Sequence, residues 1–346
     1  MIIGNISHKY IHNFPEIHES NMKLYVHNEL INFNLEKNFS LLSELIKEYD
    51  KIIIDCSFES PHFDQKNKVI DILRGPNTNK DILWIDSGLD NIFKNKTIYD
   101  PSIIRLDNKS MLKVQDRTIL YISLSRLIHH RFFRLLFTHE LYKKDLLSDG
   151  IVTCGTASDD IDMSDLFVLF PKEFQKILPL TYDGLVERYP SSVTYLTFGM
   201  ECLINVVLET SFDRTLSEKY PSIYLSDNNG HGRPFITEKT LKAFNAGQIP
   251  LFVTVSGYVN ILKIMGFDVF DDIIDHSYDN EINPEKRIVM VADELLRLKK
   301  IGLENLKNTP NLEERFNYNK TQLKILHKQM FKRYKLFINS WFFNGL

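Results

Sequence analysis

The chain has only three cysteines in 346 residues, Cys56, Cys154 and Cys202, and their spacing fits neither a disulfide framework nor a zinc motif. Buried free thiols in a reducing compartment are the simplest reading, which points to the cytoplasm. The chain also lacks a dominant charge. Its 42 Lys and Arg against 45 Asp and Glu leave a net −3, which excludes a protein that coats nucleic acid by charge alone but not a local basic groove. No apolar run reaches roughly 18 residues, so no membrane span is expected. The opening MIIGNISHKYIHNF has no basic segment followed by an apolar one, so no signal peptide is expected. Repeats and low-complexity segments are missing too. No G-x-G-x-x-G follows the first strand, which ranks a nucleotide-dependent oxidoreductase last.

What is present is an α/β alternation. The hydrophobic share of 43% supports a sizeable core, and the length suggests two domains. LLSELIKEY (41–49) reads as an amphipathic helix, KIIIDCSF (51–58) as a buried parallel-type strand, KVIDILR (68–74) as a helix and DILWIDSG (81–88) as another strand. A second series follows: strand 116–125, helix 129–143, a short strand at FVLFP (167–171), strand 202–210 and a short strand at SIYLSD (222–227). It continues with helix 237–246, strand 250–255, helix 258–266, a short strand at FDVFDD (267–272) and helix 283–300 with a proline near its start. Helical structure is expected from about Leu312 to Trp341. The polar stretch DNKSMLKVQD reads as a linker. The expected organisation is thus two Rossmann-like domains facing each other across a cleft, residues 1–112 and 113–310, with a helical segment 311–346 crossing back to the first. Ligands then sit at the C-terminal ends of the strands.

One stretch carries more chemistry than the rest: FITEKTLKAFNAGQIPLF, residues 235–252. Thr237 reads as an N-cap, with Glu238 and Lys239 in the first turn, Gly247 after the last turn and Pro250 beyond. The free N–H groups and dipole of a helix N-terminus attract an anion, and Lys239 adds a cation suited to phosphate. Glu238 can accept two hydroxyl hydrogen bonds, as from a ribose diol. Together they suit a sugar nucleotide. The alternative is ordinary capping, with Glu238 stabilising the dipole and Lys239 solvated.

Ile236, Thr237, Glu238, Lys239, Ala246, Gly247, Ile249 and Pro250 stand in the order of the donor-binding motif of the α1,3-fucosyltransferase family, and the segment resembles it. Gly266-Phe267 with Phe270, and Ser277-Tyr278-Asp279, are similar to a wider group of phage-encoded glycosyltransferase-like proteins. Leu208, Glu209, Thr210 and Ser211 resemble the end of the strand before the family's motif, with a longer loop of about 25 residues following and Thr in place of Asn. LYISLSRLIHHRFFRLLFTHEL resembles the family's strand, Ser-rich loop and Arg-bearing helix. An arginine there binds the donor diphosphate; Arg131 is the best match and Arg126 the second. Ser123, Ser125 and Arg126 lie at the C-terminal end of that strand. The resemblance covers roughly residues 116–290.

It implies a GT-B glycosyltransferase, inverting and metal-independent, that moves a sugar from a nucleoside-diphosphate sugar to an acceptor hydroxyl, with no cofactor. Donor contacts would come from Arg131, Arg126, Ser123, Ser125, Glu209, Thr210, Thr237, Glu238 and Lys239. The base would be a carboxylate of the first domain: Glu59 in SFESPHF, with Asp86 and Asp55 as alternatives. The acceptor is either a glycan or polysaccharide, or a hydroxymethylated base in phage DNA. A non-catalytic nucleotide-sugar-binding module of the same fold is the second function class. Asp160-Ile-Asp162 has a metal-binding D-x-D spacing but reads as a solvated acidic turn, and His129, His130 and His139 as helix-surface or core residues. Phe132, Phe133 and Phe137 read as core. The basic end of the chain, with Lys328, Lys332, Arg333 and Lys335, reads as an amphipathic helix packing back on the first domain, or as a lure for an anionic acceptor.

Overall fold

Short β-branched runs become parallel strands here because both of their faces can be buried. The computed structural model describes residues 112–125, 128, 131–155, 168–180, 199–209, 212, 216, 234 and 236–343, with the strand segments 2–3, 23–27, 51–56, 81–86 and 97–99. The chain divides into two compact units, residues 1–104 with 326–346, and residues 105–325.

In the first unit the strands β1 (Ile2–Ile3), β2 (Lys23–His27), β3 (Lys51–Cys56), β4 (Asp81–Asp86) and β5 (Thr97–Tyr99) form one parallel sheet in chain order. Asp55 pairs in register with Ile85, and Cys56 with Asp86. The expected helices 41–49 and 68–74 lie outside the described residues.

The second unit holds a parallel sheet of β6 (Ile119–Ser125), β7 (Gly150–Cys154), β8 (Cys202–Leu208) and β9 (Ile249–Val253), ordered β7-β6-β8-β9. The chain steps from β6 to β7 on one side, then returns to lay β8 on the other. That reversal makes a topological switch point, where parallel sheets open a crevice at their strand ends. Every residue of β8 is buried. Its polar member, Asn205, donates to Gln248 Oε1 at 2.8 Å, and Gln248 donates to the carbonyls of Gly199 and Cys202. Cys154 and Cys202 are buried free thiols.

Helix α1 (Phe132–Lys143) packs on β7 and on the later helix α5 (Pro284–Ile301), which also reaches β9. Phe132, Phe133 and Phe137 on α1 are core residues. Helix α3 (Glu238–Asn245) packs on β8 and β9. Between them in sequence lie α2 (Lys172–Gln175) and α4 (Tyr258–Ile264), and α6 (Leu303–Lys307) and α7 (Leu312–Phe343) close the chain. Pro284 stands at the start of α5, where Asn283 accepts from Lys286 N. Among the described residues no helix is long and apolar enough to cross a membrane.

Several expected elements differ. The described part of FVLFP, residues 168–171, is no strand: Val168 and Leu169 are exposed in a turn, Phe170 is buried, and Pro171 caps the one-turn helix α2. FDVFDD is no strand either. Asn319 donates to Asp268 O and accepts from Asp268 N, both at 2.8 Å, so a side-chain amide stands where a neighbouring strand would. Phe270 adopts a left-handed φ of 64° while its N–H is bound by Asp268. Helix α1 starts at Phe132 rather than at 129. The expected strand from 116 begins at Ile119, after a single 3-10 turn at Val114–Asp116. Four strands were not expected: β1, β2 and β5 in the first sheet and β7 in the second. At the start of β7 only glycine fits, since a Cβ on Gly150 would stand 2.5 Å from the Tyr121 carbonyl oxygen. SIYLSD lies outside the described residues.

Candidate functional site

The N-terminus of α3 meets the C-terminal end of β8 through Glu209, the residue after the strand. Glu209 is fully buried. Its Oε1 accepts from Thr237 N at 3.0 Å, Thr240 Oγ1 at 2.7 Å and Tyr258 OH at 3.1 Å, and its Oε2 from Thr237 Oγ1 at 2.6 Å. Burial and the Glu209 charge push the Tyr258 phenol well above its ordinary pKa, so it remains a donor.

Thr237 is extended, with φ −114°, and its hydroxyl accepts from Lys239 N, so it is the N-cap of α3. Beyond the cap, Glu238 and Lys239 stand at the protein surface, their side chains 39% and 31% exposed. Lys239 Nζ lies 3.0 Å from Glu238 Oε1 and 3.3 Å from Thr237 Oγ1. Burial alone would raise the Glu238 pKa, but Lys239, Lys242 and a backbone bond together bring it down to about 2. Near neutral pH Glu238 is therefore an acceptor of hydrogen bonds and not a proton donor.

The far end of α3 is held as firmly. Gly247 has φ 64°, its N–H bonds Phe244 O, and Gln248 N bonds Ala243 O, which is the Schellman pattern. Arg117, fully buried, donates to the carbonyls of Cys202, Leu112, Ala246 and Gly247. A cation at the negative end of the dipole and a carboxylate at the positive end thus bracket the helix.

At the neighbouring strand end, Ser123 and Ser125 close β6 and are both buried. Arg131 is the N-cap of α1. The Nε of Arg131 and the Oγ of Ser125 are buried with no hydrogen-bond partner among the described residues. Arg134, one turn on, donates to the carbonyls of Leu208 and Glu209 at 3.2 Å. Phe133 stacks on Phe212 at 4.5 Å, and Arg287 lies over the other ring of that pair, Phe212, at 5.1 Å. Phe212, just past the end of β8, is held by these contacts.

The structure therefore brings Glu209, Thr237, Glu238 and Lys239 together at one helix end. Ser123 and Ser125 lie on β6, beside β8 in the same sheet, and Arg131 caps α1. Asp55 and Asp86 lie on β3 and β4 of the other unit. Glu59, Arg126 and Thr210 lie outside the described residues, as do Asp160, Asp162, His129 and His130. His139 is inside α1, with its ring against Phe170, Phe174 and Tyr142. Sequence reasoning missed Thr240, Tyr258, Arg134 and Arg117. Thr240 was within reach, since Thr237 and Thr240 are three apart and share a helix face. Tyr258 and Arg117 come from distant segments, and no local pattern marks them.

Among the described residues no three His, Cys, Asp or Glu side chains converge as a metal site would require. No protein-family model matches the chain, and neither a curated protein nor a solved structure does.

Proposed function

We propose that this protein is a nucleotide-sugar-dependent glycosyltransferase of the GT-B type, related to the α1,3-fucosyltransferases and to phage-encoded glycosyltransferase-like proteins. The carrying observation is the capped N-terminus of α3 at the switch point of the second sheet, with Glu238 and Lys239 partly exposed side by side beyond buried Thr237. An ionised Glu238 suits the two hydroxyls of a ribose, and Lys239 suits a phosphate. The unpartnered donors on Ser125 and Arg131 suit diphosphate oxygens.

In the proposed reaction the acceptor oxygen attacks the anomeric carbon from the face opposite the diphosphate. The bond from that carbon to the diphosphate oxygen breaks, the acceptor proton passes to a carboxylate base, and the nucleoside diphosphate leaves. Arg131, Lys239 and the helix ends would balance the leaving charge without a metal. The base would be a carboxylate, Glu59 foremost, then Asp86 or Asp55. The acceptor is a glycan or polysaccharide, or a hydroxymethylated base in phage DNA. A DNA acceptor requires binding that weakens steeply as salt rises.

The test is a thermal-shift and hydrolysis screen with GDP-, UDP-, ADP- and CMP-sugars. Stabilisation by one nucleotide class with slow release of its diphosphate supports the proposal. Tight binding without hydrolysis makes the protein a non-catalytic nucleotide-sugar module. No binding by any donor overturns both readings, and activity abolished by EDTA and restored by Mn²⁺ overturns the metal-free mechanism.

A further inference from the structure

Glu209 stands at the edge of the proposed site, yet its carboxylate is filled from within. The two oxygens are surrounded by four protein donor groups: Thr237 N, Thr237 Oγ1, Thr240 Oγ1 and Tyr258 OH stand 2.6–3.1 Å from them. Three of the four belong to the cap and first turn of α3. The fourth is the first residue of α4, a helix whose own N-terminus is bound by the Asp279 carboxylate at Val259 N and Asn260 N. The Thr240 and Tyr258 hydroxyls also lie 2.7 Å apart; each has one proton, so whichever donates to the other leaves three donors on Glu209, and either arrangement joins the two helix starts. The main chain carrying Glu209 is held by Arg134. A donor hydroxyl would have to expel one of these groups to reach Glu209, whereas the Glu238 and Lys239 side chains are partly exposed.

We infer that Glu209 is a positioning residue and not a donor contact: it clamps the first turn of α3 to α4 and to the end of β8, and so sets where Glu238 and Lys239 point. The identity of the bound molecule rests on the nucleotide-sugar reading; the clamp does not.

Amide hydrogen exchange and calorimetric titration with GDP, UDP, ADP and CMP test this on wild type, Glu209→Gln, Lys239→Ala and the double variant. The glutamine keeps one acceptor oxygen and turns the other position into a donor facing the Thr237 hydroxyl. Exchange protection at 237–241 is expected to drop about tenfold or more, the scale of a lost bond to a charged group, while α5 stays protected. Nucleotide affinity is expected to fall about tenfold in each single variant, and the double variant to be no weaker than the weaker single one, since both act through one turn. Unchanged protection at 237–241 overturns the inference. Additive affinity losses overturn it too, because they mark an independent contact with the nucleotide. If wild type binds none of the four nucleotides, the nucleotide-sugar reading fails and the exchange result alone decides the clamp. If α5 loses protection in Glu209→Gln, Thr240→Val, which removes one donor to the same carboxylate, replaces it in each measurement.

Discussion

Glu209 and Thr237 are 28 positions apart, yet two hydrogen bonds join them, one to the backbone N–H and one to the hydroxyl of Thr237. That pair ties the end of a buried strand to the start of the helix bearing the candidate site. Because the same hydroxyl also caps α3, removing it has two consequences.

Thr237→Val keeps the side-chain shape and deletes the hydroxyl. The Lys239 N–H loses its cap, and Glu209 Oε2 loses its 2.6 Å donor. The expected cost is about 2 kcal/mol, read as a lower urea midpoint at an unchanged m-value.

Arg117 joins four backbone carbonyls from three segments. Arg117→Met takes a donor from all four carbonyls, of which Cys202 O keeps its bond from Gln248, with an expected loss of about 3 kcal/mol. Arg117→Lys recovers only part of it, because a single ammonium cannot reproduce the planar fork. Chemical denaturation of both variants gives the comparison.

Gly150→Ala introduces a methyl 2.5 Å from the Tyr121 carbonyl oxygen, which β6 cannot move away from. The expected destabilisation is about 1–3 kcal/mol. A thermal melt unchanged from wild type would refute the close approach.

The Glu238 carboxyl falls to about 2 from an ordinary 4.5. Its contribution to stability is therefore complete above pH 4.5 and is lost as the pH falls toward 2. Lys239→Met is expected to move the Glu238 pKa back upward and to flatten that acid-side dependence. A carboxyl-carbon NMR titration reads the first, and acid unfolding curves read the second.

His139 behaves in the opposite chemical sense. Burial lowers its pKa from 6.5, Lys143 adds to the shift and Glu140 opposes it. The unfolded chain takes the proton first, so this ring's contribution is complete above pH 6.5 and declines as pH falls toward the lowered folded value. Wild type should lose thermal stability below 6.5 faster than His139→Phe, because the phenyl ring keeps the contacts with Phe170 and Phe174 and cannot charge.

Several features were legible in the amino-acid order because their causes are local. Thr237 caps α3 through an amide two residues away, Gly247 takes the positive φ that ends it, and Asn283 with Pro284 starts α5. The runs at 119–125, 202–208 and 249–253 are short, apolar and β-branched, which is what a parallel sheet covered on both faces requires. FVLFP and FDVFDD have similar local composition, but the strand state needs a neighbouring strand. In place of one, FVLFP has a proline that starts a helix and FDVFDD has the Asn319 amide.

The sequence alone thus determined the parallel α/β character, the caps and stops of α3, and the pairing of opposite charges at its head, since each depends on residues within a turn or two. Only the tertiary structure decided that Glu209 is wrapped by Thr237, Thr240 and Tyr258, that Arg117 closes the other end of α3, and that β7 lies beside β6. Those outcomes depend on which distant groups can satisfy a buried charge or fit against a bare glycine, and that is a property of packing in three dimensions.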